Sequence, residues 1–389
     1  PVVRPSRVRS PPAIMVTGSH IPADRNGLKF YVPTGEISKA DETAIMAALE
    51  RPHTDAAVPG ARENDPGCAE RYLARYRSAF GPQALAGLRI GVYEHSSVAR
   101  DIFGQAVTAL GGTPVLLARS EVFIPVDTEA VDPETRQQLA DWAASRGLDA
   151  IISTDGDGDR PMVADATGRI VPGDVLGALT ARFLGATALV TPVSSNTQIG
   201  QMAGFASITR TRIGSPFVIA AMEAALAADP AGAVAGYEAN GGFLLGFSAQ
   251  GPVGLLAPLM TRDSLLPALA PLAAARAKGE TLAALVAALP QRFTTADRLV
   301  GVDSARAAAL LAGLLDSATA RADLFDDCGA EAGVDQTDGL RVTFVSGDIL
   351  HLRPSGNAPE FRCYSESDSP ERAEGLVRRY LQKIGQRLL

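Results

Sequence analysis

Three aspartates alternate with glycine in the stretch Asp155, Gly156, Asp157, Gly158, Asp159, directly after the apolar run Ala150 to Ile152 and before Arg160. In an extended backbone the side chains at i, i+2 and i+4 point to one side, so the spacing predicts that the three carboxylates converge. Three hard oxygen donors at one point suit Mg²⁺, which keeps room for water and for a phosphate oxygen. A solvated acidic turn is the plain alternative, but carboxylates stacked without a cation repel one another. A calcium EF-hand loop needs Gly at its sixth position and Glu at its twelfth. This chain has Arg160 and Ala166 there, which excludes that motif.

Three further motifs carry complementary chemistry. Thr17-Gly18-Ser19-His20-Ile21-Pro22 follows the strand-like Ala13 to Val16, so Ser19 is expected on a loop leaving the carboxyl end of a strand, where open α/β sheets bind ligands. A serine hydroxyl there can form a phosphoester and split one hard transfer into two easier ones. His20 and Lys29 are close enough in sequence to balance its charge, although a short Ser/Gly motif is also compatible with an ordinary turn. In Gly236-Tyr237-Glu238-Ala239-Asn240-Gly241-Gly242 the pair Glu238 and Asn240 alternates across one small residue, which suits hydrogen bonding to vicinal sugar hydroxyls. Arg353-Pro354-Ser355-Gly356-Asn357-Ala358-Pro359-Glu360 offers a guanidinium, the Ser355 hydroxyl and backbone amides around Gly356 and Asn357 as a phosphate nest, with Arg362 as a second guanidinium. The bland reading of these last two loops is a polar turn and a proline-bounded turn with surface arginines. Together the four motifs describe a site for a phosphosugar.

The elements that must carry these loops follow from periodicity. Strand-length apolar runs at Ala13 to Val16, Arg89 to Tyr93, Thr113 to Leu117, Ala150 to Ser153 and Ala188 to Thr191 alternate with helical patterns, which predicts α/β units with mainly parallel sheets. Helical spacing runs from Asp41 to Leu49 and from Cys68 to Phe80, and Gly81-Pro82 stops the second. The expected domains are 1–83 with the serine loop, 84–169 with the acidic loop, 170–290 with the sugar loop, and 291–389 with the phosphate loop. A linker is expected at Pro290 to Thr295. The last domain reads as α+β, with strands at Gly339 to Val345 and Ile349 to Leu352 around the turn residues Ser346 to Asp348. Its final helix is expected to start near Ser369-Pro370, Ser as the cap and Pro at the first helical position. No internal repeat with shared motif residues is visible.

Composition narrows the class. A chain of 389 residues is too long for one ordinary core, and 46% hydrophobic content is ample for several. Aromatics make up only 5%, which fits helices packed on sheets better than an all-β sandwich. A net charge of -7 argues against nucleic acid or an anionic membrane as the main partner, so an anionic substrate needs locally placed Arg and Lys. The three cysteines form neither a CxxC pair nor a cluster with His, arguing against zinc or a disulfide framework. No apolar run reaches spanning length, and no apolar signal core follows the basic start, so a soluble cytoplasmic protein is expected.

On these four motifs, in this order and over nearly the whole chain, the sequence resembles the α-D-phosphohexomutases, the phosphomannomutase and phosphoglucomutase superfamily. The resemblance implies four domains around one cleft, three α/β and a final α+β domain. It implies Ser19 as the phosphoserine, with His20, Lys29 and Arg160 as its catalytic neighbours. Asp155, Asp157 and Asp159 become the Mg²⁺ ligands, completed by an oxygen of phosphorylated Ser19. Gly214, Glu238 and Asn240 join Arg353, Ser355, Gly356, Asn357 and Arg362 as the substrate-binding set. The implied reaction moves phosphate between C1 and C6 of a hexose through a bisphosphate intermediate, with hexose 1,6-bisphosphate as activator and a monomeric enzyme.

Four departures from the family pattern are visible. Ile21 stands for the usual Asn, Gly242 for a histidine suspected of acid/base work, and Asn357-Ala358 for Thr-Glu. The Gly242 change shifts the proton-handling role toward Lys29 or His20. The family also has a strand-and-helix unit with an arginine-bearing loop upstream of the serine loop, whereas Pro1 to Ser10 reads as neither strand nor helix. The first domain is therefore expected to be truncated, with Mg²⁺ binding kept and turnover reduced. Phosphomannomutase is the leading reading, followed by a phosphoglucomutase or dual-specificity enzyme and then phosphoglucosamine mutase. A non-catalytic sugar-phosphate-binding relative and a metal-dependent phosphatase are the rivals from other classes.

Overall fold

The computed structural model describes residues 12–19, 26–50, 64–355 and 359–388. Four sheets and a small ribbon (Ala249–Gln250 with Leu255–Leu256) follow one another along the chain, and each of the four sheets carries one motif loop. The first is antiparallel throughout, Ala13–Val16 pairing with Leu28–Val32 and that strand with Gly35–Glu36. The serine loop thus joins neighbouring antiparallel strands instead of leaving a parallel one as expected. The helix Lys39–Leu49 follows, started by a reciprocal cap in which Ser38 and Asp41 satisfy each other's backbone N–H groups.

The second and third sheets are mixed, and they share one topology. In the second, Arg89–His95 lies between Thr113–Arg119 and Ala150–Thr154 in parallel, and Pro161–Asp165 and Ile170–Val171 then add antiparallel. In the third, Ala188–Pro192 lies between Ser207–Thr211 and Val234–Tyr237 in parallel, followed by antiparallel Phe243–Leu245 and Leu259–Asp263. The acidic loop and the sugar loop occupy the same place in the two units, where the third parallel strand turns back on itself. The repeat is one of topology, without shared motif residues.

Both faces of the second sheet are covered. Ile152 and Val163 join one core with Phe103 and Val107 of the helix Arg100–Ala109, while their neighbours Ile151 and Met162 join another with Leu139 and Ala143 of the helix Pro133–Arg146. That second helix is set by local chemistry: Asp132 caps it, Pro133 opens it, and Gly147 ends it in the left-handed conformation. The helix Cys68–Phe80, whose bounds match the sequence reading, buries Leu73, Tyr76, Ala79 and Phe80 in the same core as Ile90 and Phe103. It packs against the helix Arg100–Ala109 and the ribbon strand Leu255–Leu256.

The fourth sheet is wholly antiparallel, in the order Phe293–Val300, Glu360–Ser367, Ile349–Pro354, Leu340–Phe344, Glu331–Asp335. The expected linker at Pro290 to Thr295 is strand from Phe293 onward. Leu340, Val342, Leu350, Leu352, Phe361 and Cys363 point into a core shared with the helices Ser304–Asp316 and Pro370–Leu388. Period-two alternation then sends Arg341, His351, Arg353, Arg362 and Tyr364 to the opposite face. No helix among the described residues is long and apolar enough to cross a membrane.

Glu366 fastens the fourth unit to the third. Its carboxylate accepts hydrogen bonds from Arg292 Nε at 2.7 Å, from the Thr197 amide at 2.9 Å and from the Thr197 hydroxyl. Glu366→Ala leaves the Arg292 guanidinium without its carboxylate in a poorly hydrated junction, so it should lower the unfolding free energy by about 3 kcal/mol. Urea denaturation checks this, and a variant indistinguishable from the parent would show that the junction is held elsewhere.

Candidate active site

All four motif loops join adjacent antiparallel strands, and in each the first residue's N–H bonds the carbonyl at the far end. The pairs are Thr17 to Gly27 at 3.0 Å, Asp155 to Arg160 at 3.1 Å, Glu238 to Gly242 at 3.0 Å and Ser355 to Glu360 at 2.8 Å. His20, Ile21, Gly356, Asn357 and Ala358 lie outside the described residues.

The acidic loop converges, but not by extended alternation. It curls around Asp155, whose Oδ1 accepts the amides of Gly158, Asp159 and Arg160 at 3.1, 3.2 and 3.2 Å, with Gly158 at φ 80°. The curl gathers one oxygen from each of Asp155, Asp157 and Asp159 within 4.8 Å. Ser19 Oγ donates to the remaining oxygen, Asp155 Oδ2, at 2.8 Å. Ser19 itself sits at φ 54°, a conformation that costs a non-glycine residue energy and recurs at functional sites. Its carbonyl passes so close to Gly156 that a Cβ there would stand 2.7 Å away.

Cations surround this cluster. Lys29 Nζ donates to Asp157 Oδ2 and, at 2.7 Å, to Asp159 Oδ2, while Arg160 Nε lies 3.9 Å from Asp155 and 4.0 Å from Asp159. Arg262 reaches Asp159 at 3.1 Å, Glu36 at 3.3 Å and Glu238 at 3.8 Å. Among the described residues, five carboxylates and three cations thus join one ion-pair network. Asp157 Oδ1 and Asp159 Oδ1 are buried with no hydrogen-bond partner among the described residues, so the donor set fits a hard cation in its chemistry.

The charge crowding shows in proton affinities. Burial, and then the neighbouring Asp159 and Asp157 charges, push the Asp155 carboxyl up to about 7. Burial also acts to raise Asp157, but the Lys29 ammonium holds it below the usual carboxylate range. Lys29 is depressed by burial and lifted more strongly by Asp159 and Asp157, so it stays an ammonium. Burial raises Glu238 against the opposing pull of Arg262 and Arg160.

The other expected residues form a second cluster. Arg353 Nε donates to Asp338 Oδ1 at 3.1 Å, and Asp338 Oδ2 accepts the Ile213 amide at 2.9 Å. Arg353, Arg362 and Arg298 are register partners across three adjacent strands, a row of guanidinium groups on the helix-free face. Glu360 joins two of them, accepting from Arg362 at 3.1 Å and lying 3.4 Å from Arg298. Gly214, at φ 125°, precedes the helix Ser215–Ala228 between the clusters, since Ile213 bonds Asp338 and Ser215 Oγ donates to Glu36 at 2.8 Å. Asn240 is nearly buried, and its Oδ1 closes its own loop on the Gly242 amide at 2.9 Å.

Sequence reasoning missed Glu36, Arg262, Arg298 and Asp338. Arg262-Asp263 did carry a signal, as a charged pair inside the apolar stretch from Leu255 to Leu269. Nothing local marks Glu36 or Asp338, which matter only through partners distant in sequence.

Sequence models of the four domains of phosphoglucomutase/phosphomannomutase match this chain: domain I over residues 6–55, domain II over 70–168, domain III over 172–293 and the C-terminal domain over 278–383. Phosphomannomutases from Sinorhizobium fredii and Salmonella muenchen are each 45% identical to it, over 94% and 97% of this chain and 78% of their own lengths. A phosphoglucomutase/phosphomannomutase family protein from Burkholderia thailandensis shares the fold with a TM-score of 0.71 at 19% identity, covering 97% of this chain and 76% of its own. So does the Aspergillus fumigatus N-acetylphosphoglucosamine mutase, solved in complex with GlcNAc-6P and magnesium, with a TM-score of 0.63 at 16% identity over 97% and 89% of the two chains.

Because Asp155 keeps its proton below about 7, and a metal ligand must give its proton up, cation binding should weaken as pH falls. Mg²⁺ affinity should fall about tenfold from pH 8 to pH 6, so the Mg²⁺-induced rise in melting temperature should be clearly smaller at pH 6. A shift of equal size at both pH values would show that no group titrating near 7 must lose its proton for the cation to bind.

Proposed function

The chain belongs to the phosphoglucomutase/phosphomannomutase family, and we propose that it acts as a phosphomannomutase, moving phosphate between C1 and C6 of mannose. The observation that carries the chemistry is the 2.8 Å hydrogen bond from Ser19 Oγ to Asp155 Oδ2, which joins the serine loop to the carboxylate cluster. The choice of sugar is supported by the 45% identity to two phosphomannomutases over most of the chain.

In this reading Ser19 carries a phosphoryl group. Asp155, Asp157 and Asp159 hold Mg²⁺, which when bound neutralises charge on the phosphoryl oxygens. A hydroxyl oxygen of the hexose phosphate attacks phosphorus; the new P–O bond forms as the bond to Ser19 Oγ breaks. Glu238 takes the hydroxyl proton and later yields it to solvent, while a proton from solvent restores the Ser19 hydroxyl as Oγ is released, so the proton count is unchanged. The resulting bisphosphate turns end for end, and its other phosphate returns to Ser19. Lys29 and Arg160 neutralise charge as it develops, in a cleft where such charges act more strongly than in water. Arg353, Ser355, Gly356, Asn357 and Arg362 hold the phosphate that is not reacting, helped by the bidentate reach of guanidinium groups. Because both ends of the sugar use one Ser19, this cluster must accept either orientation.

A coupled assay with Mg²⁺ and a hexose 1,6-bisphosphate tests the reading, comparing mannose 1-phosphate with glucose 1-phosphate for the parent and Ser19→Ala. The parent should turn over the mannose substrate faster, and Ser19→Ala should turn over neither. Preference for glucose would make the enzyme a phosphoglucomutase, and undiminished turnover by Ser19→Ala would remove the phosphoserine mechanism.

A further inference from the structure

Four consecutive side chains, Thr261 to Ser264, each fasten a different part of the cleft. Thr261 Oγ1 donates to Glu36 at 3.2 Å, and Ser264 Oγ donates to the Gly158 carbonyl of the acidic loop at 2.6 Å. Asp263 is buried, accepting from the Tyr72 and Tyr76 hydroxyls and from the amides of Leu265 and Leu266 at the start of the helix Leu265–Lys278. The backbone of Arg262 is therefore clamped on both sides. Among the described residues, its guanidinium is the cation within 4 Å of carboxylates from all three of the serine-side sheet, the acidic loop and the sugar loop, through Glu36, Asp159 and Glu238.

Gly242 makes room for it. A Cβ at 242 would stand 3.0 Å from Arg262 Cγ, 3.1 Å from Cδ and 3.2 Å from Asn240 Oδ1. The arginine stem lies over the bare α-carbon at the end of the sugar loop, and a Cβ there would make it give by a few tenths of an ångström.

We propose that Arg262 is a positioning residue for the sugar-binding carboxylate, its ion pairs fixing Glu238 relative to Asp159 and Glu36 while its stem lies against the bare α-carbon of Gly242. It acts through Glu238 and Asp159 and need not touch the sugar. The fixing group thus arrives from the strand Leu259–Asp263 and not from the last position of the sugar loop itself. The inference rests on Glu238 being a sugar ligand, as the mutase reading has it.

Calorimetric binding of mannose 1-phosphate in the presence of Mg²⁺, without a bisphosphate so that no turnover is needed, tests it. Losing a charge-assisted contact, Arg262→Ala should bind about tenfold more weakly than the parent. Gly242→Ala should lose about threefold in the parent background and nothing measurable in the Arg262→Ala background, since coupled neighbours are non-additive. Arg262→Lys keeps a stem and one charge but cannot spread three nitrogens toward Glu36, Asp159 and Glu238 at once, so it should melt with the parent and still bind about threefold more weakly. Equal losses from Gly242→Ala in both backgrounds, or parent affinity in either Arg262 variant, would overturn the proposal. A parent that binds the sugar phosphate but never turns it over would sink the mutase reading and leave this one tested; a parent that binds none would sink both.

Discussion

Crowded negative charge at the centre of the cleft is the constraint around which the rest is arranged. Asp155, Asp157, Asp159, Glu36 and Glu238 come from three separate sheets and, among the described residues, are drawn together by Lys29, Arg160 and Arg262. Crowded carboxylates repel, and burial withdraws the water that would screen them. The protein answers partly with backbone, as the three amides that curl onto Asp155 Oδ1 show, and partly by leaving Asp155 with a high proton affinity. In the proposed reading a divalent cation would relieve the remaining repulsion, and phosphoryl transfer would then take place between groups already held in position.

That arrangement demands rigid delivery of loops from different parts of the chain, and the fold supplies it by one device used four times. Each motif occupies a turn between adjacent antiparallel strands, closed across its base by a backbone hydrogen bond. The two central sheets repeat a topology, so the acidic loop and the sugar loop emerge from equivalent corners. The strand Leu259–Asp263 then runs beside the sugar loop and ties it to the others through Thr261, Arg262 and Ser264. The fourth sheet stands apart, offering a row of arginines on its helix-free face and meeting the third unit at Glu366 and Asp338.

Much of this was legible before any coordinates. The helix Cys68–Phe80 and the strand Ala13–Val16 match their expected bounds, because a helical period and a short apolar run are properties of consecutive residues. The hairpin around Ser346 to Asp348 and the final helix behind Ser369 declared themselves by turn and cap chemistry. Strands Phe293–Val300 and Glu360–Ser367 did not, because their outward positions carry Arg298, Arg362 and Tyr364, which belong to the cleft and blur the apolar alternation. The carboxylates converge as expected but for another reason: a curled loop around Asp155, with Gly158 in a left-handed conformation, replaces the extended strand.

The sequence by itself determined the inventory of chemistry. Ser19, the three aspartates, Glu238 and Arg353 announce themselves because each sits in a compact motif whose glycines and spacing are local. Only the tertiary structure decided how that chemistry is balanced. Lys29 is held as a cation by Asp157 and Asp159, more than a hundred residues away, and Arg262 faces Gly242 across neighbouring strands. Such pairings are set by which strands lie side by side and in what register, and no stretch of consecutive residues contains that information.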